Sequence, residues 1–210
     1  MRTSMVSDVA PAARTRRLSA GALLLLGLFA VAGCASLRES AVLPSALPDD
    51  WDGRRLALQS WSRFDWHGRV AVASGDDGFS AALRWSQRER RSRVEFDGPM
   101  RIGGLRLEFD GGRLADERAR ADLEQRLGFV LPLESLRYWV LGVPDPTLSF
   151  AETPDAGYAR LEGLQQAGWT LRFTGYAPVA GGNYELPQRI EATRESVRVR
   201  LLVEGWEPEP

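Results

Sequence analysis

The residue best suited to chemistry is Cys34, the only cysteine in the 210-residue sequence. It follows an apolar run from Ala20 to Val31, and three arginines between positions 14 and 17 precede that run. A basic region, an apolar region and small residues before a cleavage point are the layout of a secretory signal peptide. The apolar run is shorter than the ~20 residues that a membrane-spanning helix needs. A free thiol in an exported protein would be exposed and reactive, so we expect Cys34 to be chemically modified.

The residues before Cys34 resemble the lipobox of bacterial lipoproteins. They read Val31-Ala32-Gly33-Cys34, with valine where leucine is commoner. This resemblance implies a thioether-linked diacylglycerol on the Cys34 sulfur and a third acyl chain on its freed amine. Two or more acyl chains hold a protein firmly on a membrane. Residue 35 is alanine and not the aspartate that marks inner-membrane retention in many bacterial lipoproteins. We therefore expect a lipid anchor at the periplasmic face of the outer membrane.

These signals predict three parts of the chain. Residues 1–33 form a signal peptide that is removed, residues 34–50 form the lipidated N-terminus and a flexible tether, and residues 51–210 form a single domain. Prolines at 44 and 48, among small residues with little periodicity, are typical of a tether. Removal of 33 residues from 210 leaves 177, which is enough for one domain with a hydrophobic core.

The composition excludes several classes of function. Signal cleavage removes four arginines and one aspartate, which leaves 23 basic and 27 acidic residues and a net charge of −4. Nucleic-acid binding therefore has little support. The sequence has no lysine, so a Walker A phosphate loop and a Schiff-base lysine are both excluded. One cysteine and one histidine are too few for a zinc cluster.

The remaining titratable residues do not indicate a catalytic site. His67, the single histidine, lies in a predicted strand beside Trp66, where we expect a solvent-facing or hydrogen-bonded imidazole. The paired carboxylates Asp49-Asp50 and Asp76-Asp77 lie in turn-like contexts, where solvated turns are expected rather than an acid–base pair. We therefore predict a protein that is not an enzyme and that uses no cofactor or metal.

The elements that position these residues are mainly strands. After residue 65 the apolar residues recur with a period of two, which is typical of strands with one apolar and one polar face. The apolar faces comprise Trp66, Gly68, Val70 and Val72; Phe79, Ala81, Leu83 and Trp85; Val94 and Phe96; Leu105, Leu107 and Phe109; Trp169, Leu171 and Phe173; and Val197, Val199, Leu201 and Val203. Such alternation predicts an antiparallel sheet with one wet face, curved or closed into a barrel.

Three helices are predicted beside the strands. Residues 51–61 have Leu56 and tryptophans as apolar contacts, and residues 119–127 place two leucines four positions apart. The third helix spans 132–141, because Pro132 suits a first helical position and Gly142 can close the C-terminus.

Several motifs recur in one order behind the lipobox. They are Trp66-His67-Gly68-Arg69, Leu83-Arg84-Trp85, Gly98-Pro99-Met100, the segment from Leu131 to Gly142, Gln165-Gln166-Ala167-Gly168-Trp169 and Leu186-Pro187. With these motifs, residues 61–206 resemble the LolB family, the outer-membrane lipoprotein receptors of bacterial lipoprotein sorting. The segment that contains Pro132 and Trp139 is the most specific part of the resemblance.

The resemblance implies both a fold and a function. The fold is a β-rich (α+β), open antiparallel β half-barrel whose apolar concave face is covered by helices, as in the periplasmic carrier LolA. The function is acceptance of triacylated lipoproteins from LolA into a hydrophobic cavity and their insertion into outer-membrane lipid. We expect a monomer that binds no nucleic acid.

Strand parity and the third helix predict which side chains line the cavity. They are Trp66, Val70, Val72, Leu83, Trp85, Val94, Phe96, Leu105, Leu107, Leu136, Trp139, Val140, Trp169, Leu171 and Phe173. A separate prediction concerns the loop between two strands at 98–104. In the family, an apolar residue, usually leucine, protrudes from the matching loop and serves membrane insertion. Met100 occupies that position here, and Ile102 assists it.

Three other hypotheses remain open from the residues alone. The chain is a lipid-anchored protein that binds a small apolar ligand without transferring it, a structural envelope lipoprotein whose apolar faces form only a closed core, or a lipid hydrolase. The hydrolase ranks last because the sequence shows no nucleophile–base pair.

Overall fold

The computed structural model describes residues 46–98, 104–111, 113–127, 129, 132–157 and 159–207. Within these ranges the chain forms three α-helices and ten strands. In chain order they are α1 (Trp51–Gln59), β1 (Arg63–Ser74), β2 (Asp77–Arg88), β3 (Arg91–Asp97), β4 (Leu105–Asp110), β5 (Arg113–Leu114), α2 (Glu117–Leu127), α3 (Leu133–Trp139), β6 (Phe150–Pro154), β7 (Leu161–Gln166), β8 (Trp169–Pro178), β9 (Glu185–Arg194) and β10 (Val197–Glu207).

All ten strands belong to one sheet, in the order β5-β4-β3-β2-β1-β10-β9-β8-β7-β6. Every neighbouring pair is antiparallel. The first and last strands, β1 and β10, meet in the middle, and the sheet ends at β5 on one side and at β6 on the other. The segment from β5 to β6, which carries α2 and α3, therefore connects the two edges of an open sheet.

The longest hairpin joins β1 to β2 and fixes the register of the central strands. Its ladder runs without interruption from Arg63 opposite Arg88 to Ser74 opposite Asp77. Two residues link the strands, and the first of them, Gly75, has a φ of +60°. Glycine adopts this left-handed conformation without a steric penalty, as two-residue hairpin links require. The turn expected at Asp76-Asp77 is present, and Asp77 is already the first residue of β2.

Burial alternates along the strands and leaves one apolar and one polar face. In β1, Phe64, Trp66, Val70 and Val72 are buried, whereas Arg69, Ala71 and Ala73 are exposed. Helices supply further members of the same hydrophobic core, including Trp51, Leu58, Leu123, Leu133 and Trp139. The prediction of a β-rich, open antiparallel sheet with helices over its apolar face is confirmed.

The helix predictions are close, with small differences at the ends. Predicted helix 119–127 begins two residues earlier, at Glu117. Predicted helix 132–141 spans Leu133–Trp139, with Pro132 at the N-cap rather than the first helical position. Gly142, at a φ of +74°, donates its N–H to the Trp139 carbonyl and so closes this helix end.

The packed domain begins before its predicted boundary at residue 51. Leu47 is buried in the core, although its flanking prolines and small residues had indicated a tether. Asp50 caps α1 by accepting a 2.7 Å hydrogen bond from the backbone N–H of Gly53. The described residues therefore hold a continuous core and a capped first helix. We expect residues 35–210, which are the mature chain without the lipidated Cys34, to fold on their own.

Candidate functional site

The residues predicted to line a cavity lie together on the apolar face of the sheet and on α3. Most are 6% exposed or less, and only Leu105 and Leu136 are partly buried. The set comprises Trp66, Val70, Val72, Leu83, Trp85, Val94, Phe96, Leu105, Leu107, Leu136, Trp139, Val140, Trp169, Leu171 and Phe173. Strand parity therefore predicted which side of each strand turns inward. Burial on one shared face is what a lining role requires.

Aromatic rings form a ladder across this face from β1 to β4. Trp66 and Trp85 lie opposite each other in register, with ring centroids 6.1 Å apart and planes 14° apart. Trp85 stacks in turn on Phe109, at 6.2 Å and 10°. Trp206, opposite Trp66 on β10, extends the ladder at 6.4 Å. The rings provide a broad apolar surface, and non-directional burial on such a surface accommodates hydrocarbon chains of different kinds.

A buried amide attaches α3 to β7. Gln166, only 3% exposed, accepts hydrogen bonds at its side-chain oxygen from Trp139 Nε1 and from the backbone N–H of Asp145, both at 2.9 Å. Its Nε2 donates to the Asp145 carbonyl at 2.8 Å. Both ends of this amide are satisfied, which is how a polar group is tolerated inside a core.

The Asp145 carboxylate continues the same network. Ser135 Oγ, in α3, donates to its Oδ2 at 3.0 Å, and the backbone and hydroxyl of Thr147 donate to its Oδ1 at 2.9 and 2.7 Å. A fully connected buried network rigidifies the elements that it joins. Helix α3 is therefore fixed to the sheet by polar bonds as well as by the buried side chains of Leu133 and Trp139.

Helix α1 is attached to the other side of the domain by long polar side chains. Arg54 Nη2 donates to the Glu185 carbonyl at 2.6 Å, and Gln59 Nε2 donates to the Pro144 carbonyl at 2.8 Å. Arg55 forms an ion pair with Glu152 of β6. These contacts hold α1 beside the start of β9 and the edge strand β6.

Helix α2 has fewer attachments than α1 and α3 in the part of the chain that the structure describes. Leu123 is its one fully buried side chain among those described, and Ala119 is partly buried. Charged and polar residues dominate its sequence from Glu117 to Leu127. A segment with little buried apolar surface opens locally at low free energy. Among the described side chains, α2 buries one apolar side chain fully, whereas α1 and α3 bury two each.

The polar face of the sheet carries a groove of a different character. Its volume is about 820 Å³, and it runs over β6, β7, β8 and β9. Thr170, Arg172, Thr174, Glu191 and Thr193 contribute to its lining. Hydroxyls and charges at such a surface favour water over hydrocarbon. The apolar face is therefore the better site for an acyl chain.

The apolar face is larger than the predicted lining set. Phe64, Phe109, Leu161, Leu164, Tyr184, Leu186, Ile190, Val199, Leu201 and Val203 also belong to it. Phe109, Val199, Leu201 and Val203 have the same strand parity as the predicted residues, so parity alone could have found them. Phe64 shares the parity of Trp66 but precedes the predicted start of the alternation. The others lie in or beside β7 and β9, whose apolar residues do not recur with a period of two.

Three predicted functional residues lie outside the described residues: Cys34, Met100 and Ile102. The strands that flank the predicted insertion loop are described, and they end at Asp97 and begin again at Leu105. Among the described helices none is both long and apolar enough to cross a bilayer.

Comparisons of the sequence with known proteins identify one family. The family model for outer membrane lipoprotein LolB matches residues 62–206. The outer-membrane lipoprotein LolB of Nitrosococcus oceani is 30% identical over 196 residues, which covers 88% of this chain and 96% of that protein. Its namesake in Pseudomonas paraeruginosa is 32% identical, covering 91% and 95%. That of Pseudomonas putida strain F1 is 31% identical, covering 85% and 91%.

Proposed function

This chain belongs to the LolB family of outer-membrane lipoproteins, and we propose that it accepts acylated lipoproteins from the carrier LolA and inserts them into the outer membrane. In this proposal residues 1–33 are removed, and a triacylated Cys34 holds the protein at the periplasmic face of the outer membrane. Residues 35–46 link that anchor to a domain that acts as a monomer.

The observation that carries the proposal is the single apolar face under the helices. Three acyl chains have a gross burial energy of tens of kcal/mol, at ~0.8 kcal/mol per methylene, so they cannot cross the periplasm exposed to water. A surface built of Trp, Phe, Leu and Val from most strands offers burial without selecting one cargo. Family membership and this face together support a receptor for lipid-modified proteins.

Transfer in this proposal runs downhill between two apolar sites. The sequence contains no Walker A motif and no lysine to form one. The acceptor face therefore needs a free-energy advantage over the carrier of about 1–3 kcal/mol, since each 1.4 kcal/mol is a factor of ten. The free energy of the acyl chains is lower again in the bilayer, so insertion from the apolar face into lipid is also favourable.

Cargo entry requires that a cover moves, because the apolar face is packed shut in the structure. Trp66, Val94, Leu107 and Leu171 are each at most 2% exposed. We assign the movement to α2, whose described side chains bury only Leu123 fully. Helix α3 stays in place in this account, because the Gln166 network bonds it to β7.

Delivery to the bilayer is assigned to the loop at residues 98–104. Met100 and Ile102 are apolar residues among glycines and a proline, and Met100 is the only methionine left after signal cleavage. Methionine is flexible and apolar, which suits insertion into a lipid surface. It stands where the family usually has leucine.

A photolabelled cargo tests both acceptance and its site on the unmodified mature chain. LolA would be loaded with a triacylated lipoprotein whose acyl chain carries a diazirine, mixed with residues 35–210 and irradiated. Mapping the adducts by mass spectrometry is expected to find inward residues such as Leu107 and Leu171. Their outward neighbours Arg106 and Arg172 serve as internal controls.

The position of the adducts on the two faces of the sheet decides the outcome of this experiment. Adducts on alternate residues of several strands, all of inward parity, support acceptance on the apolar face. Adducts spread over both parities contradict a site on that face. A lipoprotein that stays on a competent carrier contradicts the receptor function, and binding of a small apolar ligand without transfer becomes the leading account.

A further inference from the structure

Polar atoms of the buried aromatic residues fall into two groups. Trp85 Nε1 donates to Gln87 Oε1 at 3.2 Å, and Trp139 Nε1 donates to Gln166 Oε1 at 2.9 Å. By contrast, Trp51 Nε1, Trp66 Nε1 and Tyr184 Oη are buried and have no hydrogen-bond partner among the described residues. The exposed fraction of these three residues is between 2% and 7%. Buried donors of this kind are uncommon in native proteins.

These three unpartnered donors lie at the same end of the apolar face. A chain of ring contacts joins Tyr184 to Trp61 at 5.3 Å, and from there through Phe64 and Trp206 to Trp66. Trp51 is on α1, and Arg54 one turn later bonds to the carbonyl of Glu185, the residue after Tyr184. We call Trp51, Trp66 and Tyr184 the donor cluster.

One further indole donor, Trp169 Nε1, is also unpartnered within the described residues but lies elsewhere. Trp169 begins β8 and lies opposite Gln166 in the ladder with β7, whereas the other end of β8 lies next to Glu185. The Trp169 ring contacts the Phe129 ring, with centroids 6.2 Å apart. It is therefore next to the α3 side of the face and does not belong to the donor cluster.

The backbone around Tyr184 fixes the position of its ring. Val179 donates its N–H to the Tyr184 carbonyl, and Gly182 donates its N–H to the Val179 carbonyl, both at 3.1 Å. A Cβ added at Gly182 would come within 2.3 Å of the Tyr184 ring. This loop therefore packs its backbone directly against the ring and holds the hydroxyl inside the core.

A hydroxyl or indole N–H without a partner is unfavourable in an apolar interior, because it loses its hydrogen bonds to water. A ligand that supplies acceptor atoms at these positions recovers those bonds on binding. Three acyl chains reach a lipoprotein cysteine through two esters and one amide, whose carbonyl oxygens are acceptors without charge. The donor cluster presents neutral donors, and the surrounding rings provide apolar surface for the attached chains.

We propose that the donor cluster binds the ester carbonyls of the acylated cysteine of the cargo. This inference rests on the proposed function and extends it, because it gives the cargo a direction. The acylated cysteine lies at the α1 end of the face, near the start of β9, and the acyl chains extend from there over the aromatic ladder. The cargo polypeptide leaves the domain at the same end.

Tyr184→Phe is the sharpest test, because it removes the hydroxyl and keeps the ring. Residues 35–210 would be titrated with a tripalmitoylated cysteine lipopeptide and with its dialkyl ether analogue, which lacks both ester carbonyls. We expect Tyr184→Phe to weaken binding of the ester probe about fivefold, the value of one neutral hydrogen bond. Binding of the ether probe is expected to stay within twofold of the unmodified chain.

Tyr176→Phe is the matched control, because the Tyr176 hydroxyl already donates to the Leu161 carbonyl at 2.7 Å. We expect it to lower stability to urea and to leave the ratio of ester to ether affinity unchanged. Trp66→Phe and Trp85→Phe form a second pair, because within the described residues the Trp85 N–H has an acceptor and the Trp66 N–H has none. Trp66→Phe is expected to reduce that ratio and Trp85→Phe to leave it unchanged.

The outcomes separate this inference from the function on which it rests. Equal loss of both probes in Tyr184→Phe, or no loss of either, overturns the role of the donor cluster while leaving the receptor function standing. Failure of the unmodified chain to bind either probe overturns the proposed function itself.

Discussion

Trp139 and Gln166 are joined by a 2.9 Å hydrogen bond from the indole Nε1–H to the side-chain amide oxygen, with both residues at most 3% exposed. The residues are 27 positions apart in the chain. One lies at the end of α3 and the other at the end of β7. This bond attaches the end of α3 to the end of β7.

Replacing Gln166 tests how firmly α3 is held. Gln166→Leu keeps the volume but leaves the Trp139 N–H and the Asp145 N–H buried without acceptors. Each N–H left without an acceptor costs about 1–3 kcal/mol, so we expect the free energy of unfolding in urea to fall by about 2–6 kcal/mol. Gln165→Leu, at the exposed neighbouring position, is the control and should change it by less than about 0.5 kcal/mol. Equal effects of the two would show that the network does not stabilise α3.

Hydrogen exchange distinguishes the mobile cover from the fixed one. We expect the backbone amides of α2 to exchange through local opening and those of α3 to exchange only with the whole core. Mass spectrometry of residues 35–210 in D₂O should therefore show protection in α2 that is at least about 100-fold lower than in α3. Addition of the triacylated lipopeptide should change the exchange of α2 more than that of α3. Similar protection in both helices would remove α2 as the moving element.

A substitution in the loop at residues 98–104 should separate binding of the cargo from its delivery to the bilayer. Met100→Glu places a charge where an apolar side chain must enter lipid, so we expect slower release of cargo to liposomes with an unchanged fold and unchanged cargo binding. Met100→Leu restores the residue usual in the family and should deliver at least as fast as the unmodified chain. Ile102→Glu should show a weaker defect than Met100→Glu. Normal delivery by Met100→Glu would exclude the loop from the mechanism.

Stability at alkaline pH reports on Tyr184. Burial raises the pKa of Tyr184 from 10.0 to about 12. The unfolded chain releases this proton near pH 10, whereas the folded chain keeps it until about pH 12. The contribution of Tyr184 to stability is therefore complete below pH 10 and decreases as the pH rises from 10 to 12.

Urea unfolding at successive pH values from 8 upward would measure this dependence. Tyr184→Phe is expected to lose stability less steeply than the unmodified chain above pH 10, because it has no such proton to release. Parallel curves for the two proteins would contradict a buried, neutral Tyr184 hydroxyl. The measurement needs no ligand, so its result is independent of the proposed function.

Strand parity made the central part of the fold predictable. Trp66, Leu83, Val94 and Leu107 occupy successive strands, and each alternates with polar neighbours because one face of the sheet meets water. A period of two fixes the direction of a side chain as soon as its strand is recognised. Most of the predicted lining set followed from this alternation.

Strands β6, β7 and β9 escaped prediction for identifiable reasons. β6 has no buried residue, so apolar residues do not alternate with polar ones along its sequence. β7 contains Gly163, and β9 contains Pro187, which argues against a strand interior. Pro187 is tolerated because the ladder between β9 and β10 begins only at Arg189.

The polar contacts at the site were beyond reach from the sequence. Gln166 appeared in a recognised motif, but its bonds to Trp139 and Asp145 depend on tertiary packing between segments far apart in the chain. The same holds for Tyr184, since only the tertiary structure shows that its hydroxyl has no hydrogen-bond partner within the described part of the chain.

Transfer of cargo tests the central claim most directly. LolA loaded with a triacylated lipoprotein would be mixed with residues 35–210, and the location of the lipoprotein would be followed before and after liposomes are added. The account predicts that the lipoprotein moves onto this protein and then into the liposomes. A lipoprotein that remains on LolA, from which an established receptor removes it, would contradict the account.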